Sequence, residues 1–173
     1  MKKSVILSVG LLLIAVIIIS CEDLLNVTFE GKKVKINFLI YPEQQIGEKV
    51  LSQGVFQNEL DSLLQENNLS RENLKSAKLE SIVIKAKNGG NFNPISWFKA
   101  TFKAENLDEL VVANIDEIVQ DADSVNLNVI GDDLLQYLGY EEYSIKIVGA
   151  NDEAITDTIE AQAIIKVTFT AGY

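Results

Sequence analysis

The sequence predicts a mainly β fold: an antiparallel, two-sheet, immunoglobulin-like β-sandwich with one amphipathic helix and one short linking helix. Seven stretches carry mostly alternating apolar and polar residues, which is typical of strands with one face on a core and one face in water. Turn signals such as Pro42 and the Asn-Gly-Gly run at residues 88–90 separate them. Seven strands with one wet face favour two sheets packed face to face.

The strands follow one another along the whole chain after residue 32. The first places Ile36 and Phe38 on one face and Lys35 and Asn37 on the other. The last is the longest and alternates up to Phe169. The predicted strands cover residues 33–40, 82–86, 97–103, 109–115, 124–129, 143–147 and 159–169.

Two stretches have helical spacing instead. In "VFQNELDSLLQENNL", residues 55–69, apolar side chains recur at three and four positions, so an amphipathic helix is expected to cover a sheet edge or an end of the sandwich. "GDDLLQYLG", residues 131–139, carries a capping Asp, an apolar turn and a terminal Gly139, which predicts one short helix between strands.

The amino end has the plan of a secretory signal. Lys2 and Lys3 precede an uncharged, mostly apolar run that ends at Ser20. The run is short for a membrane-spanning helix, which needs about 20 apolar residues, and acids follow it. We therefore expect residues 1–20 to be a signal peptide, residues 21–32 a short tether, and residues 33–173 a single domain without internal repeats.

The single cysteine of the chain lies at the end of this run. "IISC", residues 18–21, resembles the bacterial lipobox, in which the cysteine is joined to diacylglycerol and becomes the new amino terminus. The resemblance implies cleavage between Ser20 and Cys21 and fatty acylation of Cys21, so the membrane is a partner through the lipid anchor. In the alternative interpretation Cys21 is a small apolar residue in a plain transmembrane anchor.

Composition limits the chemistry. There is no histidine, so neither a Ser-His-Asp nor a Cys-His arrangement can form, and no histidine zinc site. The net charge of −10 disfavours nucleic acid as a partner. We predict no enzyme, no cofactor and no metal, while a pair of carboxylates acting on a glycan is the one catalytic alternative.

Acidic clusters and the single tryptophan are further candidate sites. Asp121 and Asp123 open like a calcium loop, but Val125 stands where a ligand is needed, so we interpret these acids as solvated turn residues. Trp97 falls on the polar face of its strand and is either a contact surface or, as we prefer, the core of a layer beneath a helix.

Three tripeptides resemble the Asp-Ser/Thr-aliphatic acceptor of O-glycosylation in exported proteins of the Bacteroidetes. They are "DSL", "DSV" and "DTI", and their hydroxyl residues are Ser62, Ser124 and Thr158. The resemblance implies glycans at these positions, which must then be exposed.

The chain resembles small Bacteroidetes lipoproteins of unknown function. "SCED", "NLKSAKLESIVIKAKNGGNF" and "GDDLLQYLGYEEYSIKIVG" carry the similarity. It implies a protein anchored by lipid to the outer membrane, at the cell surface or the periplasmic face, that binds or scaffolds a protein or glycan. Two alternatives stay open: a periplasm-facing accessory of an outer-membrane complex, and a carboxylate-dependent, glycan-active enzyme.

Overall fold

The computed structural model describes residues 26–131 and 133–172. Ser20 and Cys21 lie outside the described residues. Within them the chain forms nine strands, one α-helix and two single 3-10 turns at Arg71–Asn73 and Tyr137–Gly139. The elements are β1 Asn26–Glu30, β2 Val34–Ile40, β3 Gly47–Gln57, α1 Leu60–Glu66, β4 Leu74–Ala86, β5 Ile95–Ala104, β6 Leu110–Ile115, β7 Ser124–Val129, β8 Glu142–Asn151 and β9 Ile159–Gly172.

All strands pair antiparallel in one hydrogen-bonded sheet, so the predicted mainly β, antiparallel fold is confirmed. The order is β1-β9-β4-β7-β6-β5-β8-β3, and β2 pairs with β9 on the same edge as β1. The middle of the sheet is its narrowest point, because β6 and β7 share only the pairs Ala113–Val129 and Asn114–Asn128. The sheet curls as a half-barrel around one hydrophobic core.

The core forms as the alternating patterns require. In β2, Ile36, Phe38 and Ile40 are buried while Lys35 and Asn37 are exposed. Inward residues of β4, β5, β8 and β9 join them in a single hydrophobic cluster. Burial of this apolar surface is the main driving force for the curl, since one face of the sheet must leave water.

The seven predicted strands coincide with β2 and β4–β9, and two further strands, β1 and β3, lie outside them. β1 lies inside residues 21–32, the predicted tether, and pairs with the end of β9, so the folded part begins earlier than expected. β3 contains a bulge between Val50 and Ser52 that shifts its alternation by one residue. Its Val50 and Val55 face outward, 57% and 65% exposed, which hid the strand from a periodicity analysis.

Both helix predictions were too long. Val55–Gln57 belong to β3 rather than to a helix, because Gln57 pairs with Glu142 and Phe56 stacks on Tyr143 with ring centroids 5.9 Å apart. In the described residues 131 and 133–139 the helical structure is limited to the 3-10 turn Tyr137–Gly139, in place of a linking helix. Asp133 ties this segment to β4 by accepting hydrogen bonds from Ala77 N at 2.8 Å and Leu135 N at 2.9 Å.

The register defines two ends of the domain. Asn26 pairs with Gly172, and Asn73 Nδ2 donates to the Gly172 carbonyl at 3.2 Å, so the start of β1, α1 and the 3-10 turns share one end. The β2–β3, β4–β5, β6–β7 and β8–β9 loops meet at the other end. No helix in the described part of the chain is long and apolar enough to span a membrane.

Candidate functional site

A cavity of about 370 Å³ opens where the two edges of the curled sheet approach each other. β2 forms one edge and β3 the other, and α1 lies over the gap. The cavity is near the end of the domain that carries Asn26. Its volume falls within the range of small-molecule sites, about 300–1,000 Å³.

The walls of the cavity are apolar. One side is formed by the turn before β2 and the late part of β9, the other by the end of β3 and the start of β8, and the top by α1 and the Tyr137–Gly139 turn. The apolar lining residues are Val34, Phe56, Leu60, Leu63, Leu138, Tyr143, Val167 and Phe169. Three of these eight residues are aromatic, and two of them are held by stacking, because Phe169 stacks on Phe29 at 5.6 Å and Tyr143 stacks on Phe102 at 5.7 Å.

Asn58 positions the start of the helix above the cavity. Its Oδ1 accepts a hydrogen bond from Leu60 N at 2.9 Å, and its Nδ2 donates to the carbonyls of Leu138 and of Tyr140, the latter at 2.8 Å. Its backbone N also donates to the Glu141 carbonyl at 2.8 Å. One side chain thus fastens α1 to the segment before β8.

Arg71 holds the same, amino-terminal end of α1 through the neighbouring residue Asp61. Its guanidinium donates to both carboxylate oxygens of Asp61, at 2.5 and 3.1 Å, and to the Gly139 carbonyl at 2.7 Å. The hydrogen bond from Arg71 holds the pKa of the Asp61 carboxyl below its usual range. Asp61 therefore stays ionised at neutral pH. Through Arg71 it links α1 to both 3-10 turns, Arg71–Asn73 and Tyr137–Gly139.

The mouth of the cavity is basic. Lys32, Lys33 and Lys35 line it, and Glu59 is the single acid among the lining residues. Lys32 Nζ lies 3.0 Å from Glu59 Oε2, and this hydrogen bond raises the pKa of Lys32. Lys33 and Lys35 are exposed and make no ion pair within residues 26–131 and 133–172.

Tyr143 is the one ionisable group on the inner wall. Burial raises the pKa of its hydroxyl, and the negative charge of Glu59 adds to the effect. Tyr143 is therefore a neutral hydrogen-bond donor at physiological pH. An apolar cavity with cations at its mouth and a neutral hydroxyl inside is suited to binding.

The acidic turns are held by local hydrogen bonds. Asp121 adopts a left-handed backbone conformation with φ 62°, its N donates to Asn93 Oδ1 at 2.6 Å, and its Oδ1 accepts from Asn93 Nδ2 at 2.9 Å. This arrangement joins the β4–β5 and β6–β7 loops. Among the described residues, no three acidic or thiol side chains are grouped as a metal site would need.

The three predicted glycan acceptors are exposed and lie apart. Ser62 is on α1, Ser124 begins β7, and Thr158 is in the β8–β9 loop. Ser62 is at the end of the domain that carries Asn26, while Ser124 and Thr158 are at the other. Thr158 borders a second depression, of about 390 Å³, with Lys87, Asp157 and Glu160. Their glycosylation stays a prediction.

Among the described residues no helix covers Trp97, which contradicts our preferred interpretation of it. It pairs with Ala150 at one end of β8, whereas α1 follows the part of β3 that pairs with the other end. The indole is partly buried, and Lys99 Nζ lies 5.5 Å from its ring centroid. Lys99 in turn is 3.7 Å from Glu48, so the outer face around Trp97 is shielded by a charged pair.

Sequence reasoning missed every residue of the cavity as a site. Lys35 was assigned to the polar face of the first strand, and Phe56 was assigned to a helix. The single local signal was three lysines within four positions, Lys32 to Lys35, in an acidic chain. The apolar residues Phe56 and Tyr143 lie more than twenty residues away from these lysines along the chain. They come close to the lysines only because the sheet curls.

Comparison with known proteins gives no family. No protein-family description and no curated protein matches the chain. Similar solved structures include the semi-empty virus-like particle of the giant freshwater prawn Macrobrachium rosenbergii nodavirus, with 9% identity over 86% of this chain and 95% of that chain and a TM-score of 0.37. The infectious bursal disease virus VP2 subviral particle matches with 9% identity, 85% of this chain, and a TM-score of 0.42. This chain spans 32% of that VP2 chain.

Proposed function

We propose that the protein is a lipid-anchored component of a bacterial outer envelope whose β domain binds or scaffolds a partner without catalysis. The position of Cys21 carries this proposal: it ends an uncharged run and stands five positions before β1. A chain of that length spans at most about 17 Å. The end of the domain with Asn26, α1 and the cavity would therefore lie next to the lipid.

The curled sheet suits such a role. We propose that its two halves act as the layers of an immunoglobulin-like β-sandwich, with β1, β2, β9, β4 and β7 in one layer and β6, β5, β8 and β3 in the other. The shared hydrophobic core between the halves supports this view. A rigid two-layer domain can present its loops, edges and cavity without needing any of the groups used in acid-base catalysis.

The resemblance to small Bacteroidetes lipoproteins belongs to the same proposal. In that setting the partner is a protein or a glycan, and Ser62, Ser124 and Thr158 carry glycans on exposed positions. The four loops at the end opposite Asn26 would face away from the lipid. Between them they hold eight acids, which are Glu43, Asp116, Glu117, Asp121, Asp123, Asp152, Glu153 and Asp157.

Metabolic labelling tests the anchor. Cells producing the full chain are grown with an alkyne-tagged fatty acid, and the purified protein is conjugated to a fluorophore. We expect label on the natural chain and on Ser62→Ala, and none on Cys21→Ala. Equal labelling of Cys21→Ala would refute the anchor.

Protease treatment of intact cells then separates the two faces of the membrane. Digestion of the domain in intact cells supports display at the surface. Protection that ends on lysis supports the periplasm-facing alternative, and crosslinking would then be used to find the outer-membrane complex.

A further inference from the structure

The cavity between β2 and β3 has an apolar interior that the protein itself leaves partly unfilled. Phe56, Leu63, Tyr143 and Val167 line it, and each is only partly buried. Removing apolar surface from water is favourable in proportion to the area buried. A hydrocarbon chain placed between these side chains would bury the surface that water now contacts.

The shape of the site favours an elongated ligand. Inside the described residues β2 has hydrogen-bonded neighbours only in β9 and β3 only in β8, so the two facing edges leave a gap between them. α1 covers this gap at one end, held there by Asn58 and Arg71. The cavity is therefore a slot with two strand walls and a helical cover, open toward the turn before β2.

The charged residues at the opening of the cavity favour a negatively charged ligand. Lys32, Lys33 and Lys35 line it with Glu59 as the single acid among the lining residues, while the charge of Glu66 also acts on Lys32, in a chain whose net charge is −10. Glu59 is already paired with Lys32 at 3.0 Å, which leaves Lys33 and Lys35 without an anion among the residues described. An opening with an excess of cations on an acidic protein is complementary to an anionic head group.

We propose that this cavity binds a single-chain amphipathic anion. The anionic group, a carboxylate or a phosphate, lies at Lys33 and Lys35, and the hydrocarbon chain runs inward between Phe56, Tyr143 and Phe169. A free fatty acid and a single-chain phospholipid share this chemistry. The inference rests on the proposed function in that the domain acts by binding, and it does not need the anchor at Cys21.

Photolabelling of the full chain in nanodiscs of zwitterionic lipid tests the inference. The probe is a dodecanoic acid that carries a diazirine on its chain and an alkyne for detection. After illumination and digestion, we expect labelled peptides that contain Phe56, Leu63 or Tyr143. Labelling confined to other peptides would overturn the proposal.

Matched variants separate the cavity from general lipid contact. Leu63→Trp fills the slot and is expected to abolish labelling of these peptides, while Val111→Trp, on an exposed strand position, leaves it unchanged. Charge reversal at Lys33 and Lys35 is expected to lower labelling about three- to tenfold. The same reversal at Lys78 and Lys85 on β4 is the control, and an equal loss there would contradict a specific head-group site.

Competition identifies the ligand class. Unlabelled dodecanoate and lysophosphatidylglycerol are both expected to displace the probe. The compound that displaces it at the lower concentration indicates whether the natural ligand is a free fatty acid or a single-chain phospholipid. Dodecanol has the same chain without the negative charge. If dodecanol displaces the probe as strongly as dodecanoate does, the proposal that the ligand is an anion is overturned. Photolabelling depends on light and maps to cavity peptides, so Cys21→Ala should not change it. Absence of cavity labelling is therefore distinguishable from absence of the lipid anchor.

Discussion

The Lys32 ammonium lies 3.0 Å from the Glu59 carboxylate and so joins the turn before β2 to the residue before α1. These two residues belong to opposite edges of the sheet, and their ion pair crosses the opening of the cavity. The pair is exposed on both sides, with 61% and 66% of the two side chains accessible. It therefore contributes little to stability but neutralises one of the three cations at the opening.

Glu59→Gln is expected to strengthen binding of anions at the cavity. The substitution keeps the size of the side chain and frees the charge of Lys32, so photolabelling by the dodecanoate probe should rise about threefold at low salt and less at high salt. Glu72→Gln, on an exposed residue of the Arg71–Asn73 turn, is the control. Weaker labelling in Glu59→Gln would mean that Glu59 serves the ligand rather than masking Lys32.

Gly149 is expected to be intolerant of any side chain. A Cβ at this position in β8 would lie 2.7 Å from Leu51 Cδ1 and 3.1 Å from both Phe98 Cδ1 and the Trp97 carbonyl oxygen. Gly149→Ala should lower the free energy of unfolding by about 1–3 kcal/mol because the core is overpacked. Urea unfolding measures this change, and Gly139→Ala, where a Cβ would meet no atom within 4 Å, should leave stability almost unchanged.

Asn58→Ala is expected to loosen the cover of the cavity. The change removes the acceptor for Leu60 N and the donor to the carbonyls of Leu138 and Tyr140, which leaves partly buried backbone groups without partners. We expect a loss of about 1–3 kcal/mol in the free energy of unfolding. Hydrogen exchange should become faster in α1 and residues 138–141.

Asn126→Ala, on the exposed face of β7, is the control for this change. Its effect should stay within about 0.5 kcal/mol, as for most surface substitutions. Exchange in α1 that is equal in the two variants would show that Asn58 does not hold the helix.

The strands were predictable where the chain alternates in phase with the pleat. β2 and β9 do so along most of their length, and periodicity located both. β3 was hidden because its bulge reverses the pattern after Val50, and β1 lies inside the predicted tether, where five residues carry too little pattern to establish a strand. The helix was overextended because Phe56 and Leu60 have helical spacing, yet pairing of β3 with β8 outweighs local propensity for Val55–Gln57.

The cavity was not predictable for a different reason. It lies between β2 and β3, which belong to opposite edges of the sheet and approach each other only through its curl. Lys33 and Phe56 belong to separate patterns in the sequence, each of which has an ordinary surface or core interpretation. Only their placement on facing edges combines a cation with an unfilled apolar wall.

Glu109 is expected to make stability depend on pH. Its carboxylate accepts a hydrogen bond from Lys146 Nζ at 2.6 Å and another from the buried Thr101, and both hold the pKa of Glu109 below its usual value of 4.5. Because the folded state prefers the ionised form, the stabilisation is complete above pH 4.5 and is lost as the pH falls through the lower pKa of the folded protein. The pair is partly solvated, so its contribution is below about 1 kcal/mol.

Glu109→Gln should therefore be less stable than the natural chain at neutral pH, and the difference should shrink to nothing as the pH falls below the usual value for a glutamate. Urea unfolding at a series of pH values measures this dependence. Glu105→Gln, an exposed change in the same β5–β6 loop, should show no such trend. A difference between Glu109→Gln and the natural chain that persists unchanged at acid pH would assign the effect to packing around Thr101 instead of to the charge.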